Sequence, residues 1–191
     1  MKLPEKYFLY VGNAYPHKNL ERLLEAFSIL NSRAAGIASG DARQFSILNL
    51  VLVGAEDYFY KRLKEKVKDI SLENNVIFYG PADRKELSNL YKNAIALVFP
   101  SLMEGFGLPA VEAMAQRCLV LVSDIPVFHE VLGEAAIYFN PYDPADMAEK
   151  MSGALNNPQK YAKFKTLGLE LVKGYSWQKM AMETLRVYNV L

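Results

Sequence analysis

Two glutamates with seven residues between them mark the stretch of this sequence that is richest in possible chemistry. Glu104 follows an apolar run in a glycine-containing loop, and Glu112 lies about one turn inside a helix that Pro109 begins. The start of a helix exposes backbone N–H groups, and Gly105 and Gly107 allow a ligand to approach them closely. This combination favours a diphosphate as the ligand.

The spacing of the two carboxylates suits a long polar ligand. A rise of about 1.5 Å per helical residue puts them within about 10–12 Å of each other. That is the span of a sugar nucleotide, and it does not match the close acid/base pair of a glycosidase. The alternative for Glu112 is a first-turn glutamate that only stabilises the helix dipole.

A second candidate anion site follows the first apolar run of the chain. Gly12 allows the backbone to turn, and Lys18 stands at the start of the next predicted helix, where backbone N–H groups favour an anion. A lysine is unfavourable for the helix dipole there, so it indicates a ligand phosphate; the alternative is a solvated loop lysine. The stretch matches neither GxGxxG nor a P-loop, so nicotinamide and Walker-type phosphate binding are not supported.

Other polar residues have simpler interpretations. Asp83 follows a predicted strand and can cap the next helix. His17 and His129 are the two histidines, and neither has neighbours at metal-ligand spacing, so no metal site is predicted. His17 is a loop histidine, or else a phosphate contact beside Lys18. The basic run at 61–68 is interpreted as a solvated helix face rather than a membrane-binding surface.

Short apolar runs alternate with longer amphipathic runs along the chain. Several apolar runs have no polar face, so helices must cover both sides of the sheet, as in parallel sheets. The pattern predicts a doubly wound, Rossmann-like three-layer α/β sandwich with a parallel sheet of about six strands. Ligands in such folds bind beyond the carboxyl ends of the strands, where the candidate residues lie. The predicted strands are at 7–11, 47–53, 76–79, 94–99, 118–122 and 135–139.

The amphipathic runs predict the helices. The stretch 31–44 interrupts the alternation of apolar and amphipathic runs. It contains small and polar residues and two glycines, so it is predicted to be a flexible loop. Three helices without an intervening strand form the tail from 143, and Ser176 is the expected N-cap of the last. The predicted helices begin near 20, 58, 84, 109, 126, 144, 158 and 177.

Composition excludes several classes of protein. The chain has 191 residues, with 22 basic and 21 acidic side chains and a net charge of +1, which argues against nucleic-acid binding by phosphate neutralisation. The single cysteine, Cys118, excludes an intramolecular disulfide and fits a reducing compartment; it is expected to be a small buried hydrophobe. Neither a transmembrane segment nor a signal peptide is predicted, so the expected location is cytoplasmic.

The stretch PSLMEGFGLPAVEAMA resembles the donor-binding signature of retaining GT-B glycosyltransferases of family 4, also called glycosyl transferases group 1. The resemblance extends in register over nearly the whole chain. The further segments that carry it are YVGNAYPHKNLERLLEAF, LVLVGAED, NVIFYGPADRKELSNLYKNA, SDIPVFHEVLGEAAIYFNPYDPADMAEKM and YSWQKMAMETLRVY.

The resemblance implies retaining transfer of a sugar from a nucleotide-diphosphate sugar, of the GDP-mannose or UDP-hexose type. Lys18 would contact the diphosphate, Glu112 the ribose hydroxyls and Glu104 the hydroxyls of the transferred sugar. Lys18 and Glu104 are therefore the candidate catalytic residues. The main catalytic task would be to stabilise the charge of the leaving diphosphate, which a lysine and a helix N-terminus can do without a metal or another cofactor.

The resemblance completes the candidate donor-binding set. The nucleobase of the donor would lie near the strand end at Gly80–Asp83. Many family members have an arginine where this chain has Asn13, so Lys18 and the helix dipole would carry more of the diphosphate. The family's Gly-x-Pro before the fifth strand is Arg117-Cys118-Leu119 here, which puts the turn there in question. The full donor-binding set is Gly12, Asn13, Lys18, Asp83, Glu104, Gly105, Phe106, Gly107, Leu108 and Glu112.

The resemblance also implies a second domain. Residues 1–191 correspond to the C-terminal, donor-binding half of a GT-B fold, with a closing helical segment at about 143–191. The N-terminal acceptor domain is absent and would come from a longer protein or a separate chain, so this chain alone is expected to be inactive. Through that domain the protein could lie peripherally at the cytosolic membrane face. The alternatives are a non-catalytic subunit or scaffold and a generic nucleotide-sugar-binding protein, such as an epimerase.

Overall fold

Six parallel strands form the centre of the structure, a computed structural model that describes residues 3–37 and 48–190. The strand order is β3-β2-β1-β4-β5-β6, and every pairing is parallel. The predicted Rossmann-like α/β fold is therefore confirmed. The strands are β1 (Lys6–Val11), β2 (Leu48–Val53), β3 (Val76–Gly80), β4 (Ala96–Phe99), β5 (Val120–Ser123) and β6 (Ile137–Phe139).

Helices connect the strands and cover both faces of the sheet. α1 packs against α2 and α6, whereas α4 packs against α3 and α7. The helices are α1 (Leu20–Ile37), α2 (Tyr58–Asp69), α3 (Arg84–Asn93), α4 (Leu108–Ala115), α5 (Pro126–Leu132), α6 (Pro144–Asn156), α7 (Pro158–Val172) and α8 (Trp177–Val190). Short 3₁₀ turns span Pro16–Lys18 and Gly133–Ala135.

The direction in which successive strands are added to the sheet reverses between β1 and β4. From β1 the chain proceeds to β2 and β3, then crosses back to β4 and continues through β5 to β6. β1 and β4 are hydrogen-bonded neighbours, although their successors lie on opposite sides. Such a switch point opens a crevice beyond the carboxyl ends of the two strands. The loops after β1 and β4 contain Lys18 and Glu104 respectively.

The predicted loop at 31–44 is wrong over its first half. α1 continues to Ile37, and the Ser32 hydroxyl donates a hydrogen bond to the carbonyl of Ser28. Helix formation does not require an apolar stripe, and Ala34 and Ala35 belong to the residue type with the highest helix propensity. Residues 38–44 of that prediction, and Ile47 of the predicted second strand, lie outside the described residues.

Other boundaries shift because burial does not distinguish a strand from the turn before it. β4, β5 and β6 each begin two residues later than predicted. Cys118 precedes β5 and is 2% exposed, as expected for a small buried hydrophobe. Burial raises the pKa of its thiol to about 12, so the thiol is protonated at neutral pH.

The C-terminal helix has a different environment from the rest. The Ser176 hydroxyl accepts a hydrogen bond from the backbone N–H of Lys179 at 3.0 Å, which confirms it as the N-cap of α8. Every side chain of α8 from 177 to 188 is exposed, including Trp177, Leu185 and Tyr188. Over residues 3–37 and 48–190, the structure has no helix with the length and apolar character that a membrane crossing requires.

Candidate functional site

The loops that follow β1 and β4 meet at the switch point of the sheet. The backbone N–H of Leu102 donates a hydrogen bond to the carbonyl of His17 at 2.7 Å, which joins the two loops directly. The structure thereby brings together two motifs that lie more than 80 residues apart in the chain.

The centre of this junction is an ion pair between the two candidate catalytic residues. Lys18 Nζ lies 2.6 Å from Glu104 Oε1, and the two side chains are 14% and 11% exposed. The ammonium also lies 5.6 Å from the centroid of the Phe99 ring. This is a charge-assisted hydrogen bond that is largely shielded from water and salt, unlike a surface ion pair. Lys18 is therefore not a solvated loop lysine.

Asn19 fixes the backbone beside Lys18. It adopts a left-handed conformation, with φ of 61°, that asparagine tolerates better than most residues. Its buried Nδ2 donates to the carbonyls of Pro100 (3.0 Å) and Pro141 (2.8 Å), and its Oδ1 accepts from Arg22 Nη1. Asn19 thus ties the loop after β1 to the chain beyond β4 and β6. Because its partners lie far away in sequence, only its residue type could have indicated this role.

The N-terminus of α4 lies next to the ion pair and has no side-chain cap. Gly107 is the N-cap residue, with φ of 84°, and no side chain accepts a hydrogen bond from the first turn. The unpaired N–H groups of this turn are available to an anion. Phe106 and Leu108 are exposed, and Phe106 packs edge-on against Tyr175 at a centroid distance of 5.4 Å.

The two glycines of this loop differ in what they permit. A Cβ on Gly107 would lie 2.6 Å from Phe128 Cε1, so both its backbone conformation and its packing require glycine. A Cβ on Gly105 would meet no atom within 4 Å. The fold itself therefore requires glycine at 107, whether or not a ligand binds. Close approach of a ligand at Gly105 stays a prediction.

Glu112 is exposed on α4 and is oriented by a residue that the sequence analysis missed. The hydroxyl of Tyr91, on α3, donates to Glu112 Oε2 at 3.1 Å, and Tyr91 is 2% exposed. Burial and the Glu112 charge raise the pKa of Tyr91, so its hydroxyl stays protonated and remains a donor. The contact depends on the packing of α3 on α4, which no local sequence pattern reveals.

Asp83 lies apart from the ion pair. Its carboxylate accepts from the N–H groups of Lys85 and Glu86, and the Glu86 side chain accepts from the Asp83 N–H, so the predicted helix cap is confirmed as a full capping box. Asp83 follows the edge strand β3, which lies three strand spacings, or about 14 Å, from β4. A role at the same site would therefore involve the far end of an extended ligand.

Gly12 and Asn13 are held within the loop after β1. The N–H of Gly12 donates to the carbonyl of Val53, and its carbonyl accepts from the Tyr60 hydroxyl at 2.8 Å. Asn13 Oδ1 accepts from the N–H of Tyr15 at 3.3 Å, which closes a local turn. These contacts shape the loop that carries Lys18, and neither residue adds charge to it.

The histidines lie in different environments. His17 contributes its backbone carbonyl to the junction described above, whereas His129 pairs with Asp124 at 2.6 Å and stacks on Tyr138. Over the described ranges, no group of three or more His, Cys, Asp or Glu side chains is placed to hold a metal ion. A mechanism without a metal stays a prediction.

Comparison with known proteins gives a family match. The family model described as "Glycosyl transferases group 1" matches residues 2–169. The O-antigen chain mannosyltransferase RfbU of Salmonella typhimurium is 36% identical over 163 residues, which are 85% of this chain and 42% of RfbU. The serotype-specific mannosyltransferase WbdA of Escherichia coli is 32% identical over 182 residues, 94% of this chain and 21% of WbdA. The chain thus spans less than half the length of these curated relatives.

Solved structures share the fold. Sucrose-phosphate synthase from Thermosynechococcus elongatus has a TM-score of 0.81 and 26% identity, and the match covers 97% of this chain and 45% of that one. Anabaena Alr3699/HepE, solved in complex with UDP and glucose, has a TM-score of 0.80 at 16% identity over 98% of this chain and 49% of its own. The latter similarity concerns the fold alone.

The two loop glycines generate a stability prediction. Replacing Gly107→Ala should lower the free energy of unfolding by about 1–3 kcal/mol, because it forces a left-handed backbone on alanine and crowds Phe128. The matched control Gly105→Ala should stay within about 0.5 kcal/mol of wild type. Urea unfolding measures both; equal stability of the two variants would contradict the assigned role of Gly107.

Proposed function

The chain belongs to the glycosyl transferases group 1 family, and from this premise we propose that it forms the donor-binding half of a retaining glycosyltransferase of family 4. The ligand is a nucleotide-diphosphate sugar. The observation that carries the proposal is the Lys18–Glu104 ion pair beside the uncapped N-terminus of α4. Several relatives are mannosyltransferases by name, so GDP-mannose is the first donor to test, with UDP-hexoses next.

The diphosphate binds between Lys18 and the first turn of α4. In this structure the ammonium pairs with Glu104, whereas a diphosphate offers it a partner of higher charge. As Lys18 turns to the phosphates, Glu104 is released to accept hydrogen bonds from the hydroxyls of the transferred sugar. Lys18 and the amides around Gly105–Leu108 then stabilise the charge that develops on the diphosphate as the bond to the sugar breaks.

The nucleoside extends away from this centre. Glu112, held in place by Tyr91, accepts hydrogen bonds from the ribose hydroxyls. The base lies toward the carboxyl end of β3 near Gly80–Asp83, about 14 Å from β4. That separation suits an extended sugar nucleotide, with its nucleobase near Gly80–Asp83 and its sugar near Glu104. The capping box leaves Asp83 little freedom, so backbone groups of this turn and its fixed carboxylate are the groups available to the base.

An N-terminal acceptor domain completes the enzyme in this proposal. The chain covers 42% of RfbU and 45% of the sucrose-phosphate synthase from Thermosynechococcus elongatus, which leaves room for a second domain in those proteins. The apolar residues on α8, such as Trp177, Leu185 and Tyr188, are more than 60% exposed and would be covered by such a domain. We place the activity in the cytoplasm, where the unpaired Cys118 would stay reduced.

The ion pair makes a prediction that separates the two candidate catalytic residues. Lys18→Ala should weaken binding of the nucleoside diphosphate at least about tenfold, since it removes a charged hydrogen-bond donor. Glu104→Gln should bind the free nucleoside diphosphate as well as wild type or better, because Lys18 no longer has a competing carboxylate. The same variant should lose the additional affinity that the sugar contributes.

Calorimetric titration with the nucleoside diphosphate and its sugar measures these effects. The exposed pair Lys64–Glu56 on and before α2 provides controls, and Lys64→Ala and Glu56→Gln should bind as wild type does. The assignment of Glu104 to the sugar would be wrong if Glu104→Gln kept the full difference in affinity between the nucleoside diphosphate and the nucleotide sugar.

The Tyr91–Glu112 contact generates a prediction about the ribose. Wild type should prefer a ribonucleoside diphosphate over its 2′-deoxy analogue, and Tyr91→Phe should reduce that preference about three- to tenfold, the range of one lost hydrogen bond. Tyr7→Phe is the control, because it removes a buried hydroxyl that donates to the carbonyl of Leu90. An unchanged preference for the ribonucleoside diphosphate in Tyr91→Phe would contradict the assignment of Glu112 to the ribose.

The division into two domains predicts the activity of the isolated chain. Pure 191-residue protein, incubated with radiolabelled GDP-mannose or UDP-glucose and a glycan acceptor, should transfer no measurable sugar because the acceptor half of the active site is absent. A protein that joins this chain to an N-terminal acceptor domain should restore transfer. Sustained transfer by the isolated chain would contradict the two-domain proposal.

A further inference from the structure

An open cavity of about 420 Å³ lies beside the loop that carries Lys18. The turn after β1 and the first turns of α1 form one wall, and α2 forms the other. Its volume falls within the range of about 300–1,000 Å³ that small-molecule sites occupy. None of the residues assigned above to the donor lines it.

The walls of the cavity include an aromatic pair. Tyr15 and Phe59 make an edge-to-face contact at a centroid distance of 5.2 Å. Although it packs on Phe59, Tyr15 remains 44% exposed. A partly exposed aromatic ring fixed by a neighbour offers a flat apolar surface at little cost in conformational entropy.

Four charged side chains line the same cavity in balance. Glu21 and Glu25 are four residues apart on α1 and so lie on one face of the helix, while Arg22 and Arg62 come from α1 and α2. The side chains of Glu21, Glu25 and Arg62 are solvent-exposed, and over the described residues they make no hydrogen bond or ion pair. The Arg22 guanidinium is held by Asn19 Oδ1 at 2.9 Å and lies over the Tyr142 ring.

The balanced charges of this lining favour a ligand without net charge. A phosphate would be repelled by the two carboxylates, and a cation by the two guanidinium groups. A purely apolar molecule would pair with none of the four charges. A neutral polyhydroxyl compound fits the lining, because its hydroxyls donate to the carboxylates and accept from the arginines. The C–H face of a pyranose ring also packs on an aromatic side chain such as Tyr15.

We propose that this cavity is a binding subsite for neutral hexose units of an oligosaccharide, separate from the donor site. The carbonyl of Tyr15 accepts a hydrogen bond from the N–H of Lys18 at 2.8 Å, so cavity and donor site share one turn. A glycan held here therefore lies beside the loop that carries Lys18. Its identity as part of the growing acceptor chain, whose reacting end the N-terminal domain would hold, rests on the proposed function, whereas sugar binding by the cavity does not.

The test uses α-mannotriose with the full 191-residue chain saturated with GDP-mannose, or with the UDP-hexose if that is the donor, so that both the nucleotide and the sugar part of the donor site are filled. Backbone ¹⁵N chemical shifts should change at 14–25 and 59–63 in a saturable manner. Arg62→Ala and Glu25→Gln should weaken binding at least about tenfold, since each removes a charged hydrogen-bond partner. Lys61→Ala, the neighbouring residue on α2 but not on the cavity wall, should leave binding unchanged.

Three results would overturn the inference. These are the absence of saturable shifts at 14–25 and 59–63, equal shifts with glycerol at the same concentration of hydroxyl groups, and shifts that Arg62→Ala and Glu25→Gln do not weaken. If neither GDP nor UDP binds but mannotriose still causes the expected shifts, the donor proposal fails and the cavity inference stands. GDP affinity should be the same in the cavity variants and wild type, because neither Arg62 nor Glu25 belongs to the donor site.

Discussion

The ion pair between Lys18 and Glu104 joins the loops after β1 and β4, at the point where the strand order of the sheet reverses. A lysine and a glutamate this far removed from water must pair with each other or with a ligand, because an unpaired charge there would be costly. The surrounding backbone holds both partners in place. The left-handed Asn19 fixes the end of one loop, and the bond from Leu102 to the carbonyl of His17 joins it to the other.

Most of the fold could be predicted from the sequence because it follows from hydrophobic periodicity. Apolar runs such as those of β2 and β4 have no polar face, which required helices on both sides of a parallel sheet. The pattern failed where helix propensity acts without an apolar stripe, as at Ala34 and Ala35 in the last turns of α1. It also failed at strand starts, because residues such as Cys118 are buried before the strand begins.

The site was only partly predictable for a different reason. Residue types and turns identified Lys18, Glu104 and the α4 N-terminus, since these features are local in sequence. The side chains that orient them are not local: Tyr91 acts on Glu112 from α3, and Asn19 binds carbonyls 81 and 122 residues away. Such contacts arise only when the helices and strands are packed. The roles of the site residues toward a ligand remain predictions.

The proposed function requires a donor site on this chain. Calorimetric titration of the wild-type 191-residue protein with GDP, UDP and their sugars, alongside the matching nucleosides, measures whether that site exists. We expect saturable binding of one ligand per chain for at least one nucleoside diphosphate, and much weaker binding of its nucleoside, which lacks the group that engages Lys18. A folded protein that binds none of these diphosphates, or binds nucleoside and diphosphate equally, would contradict it.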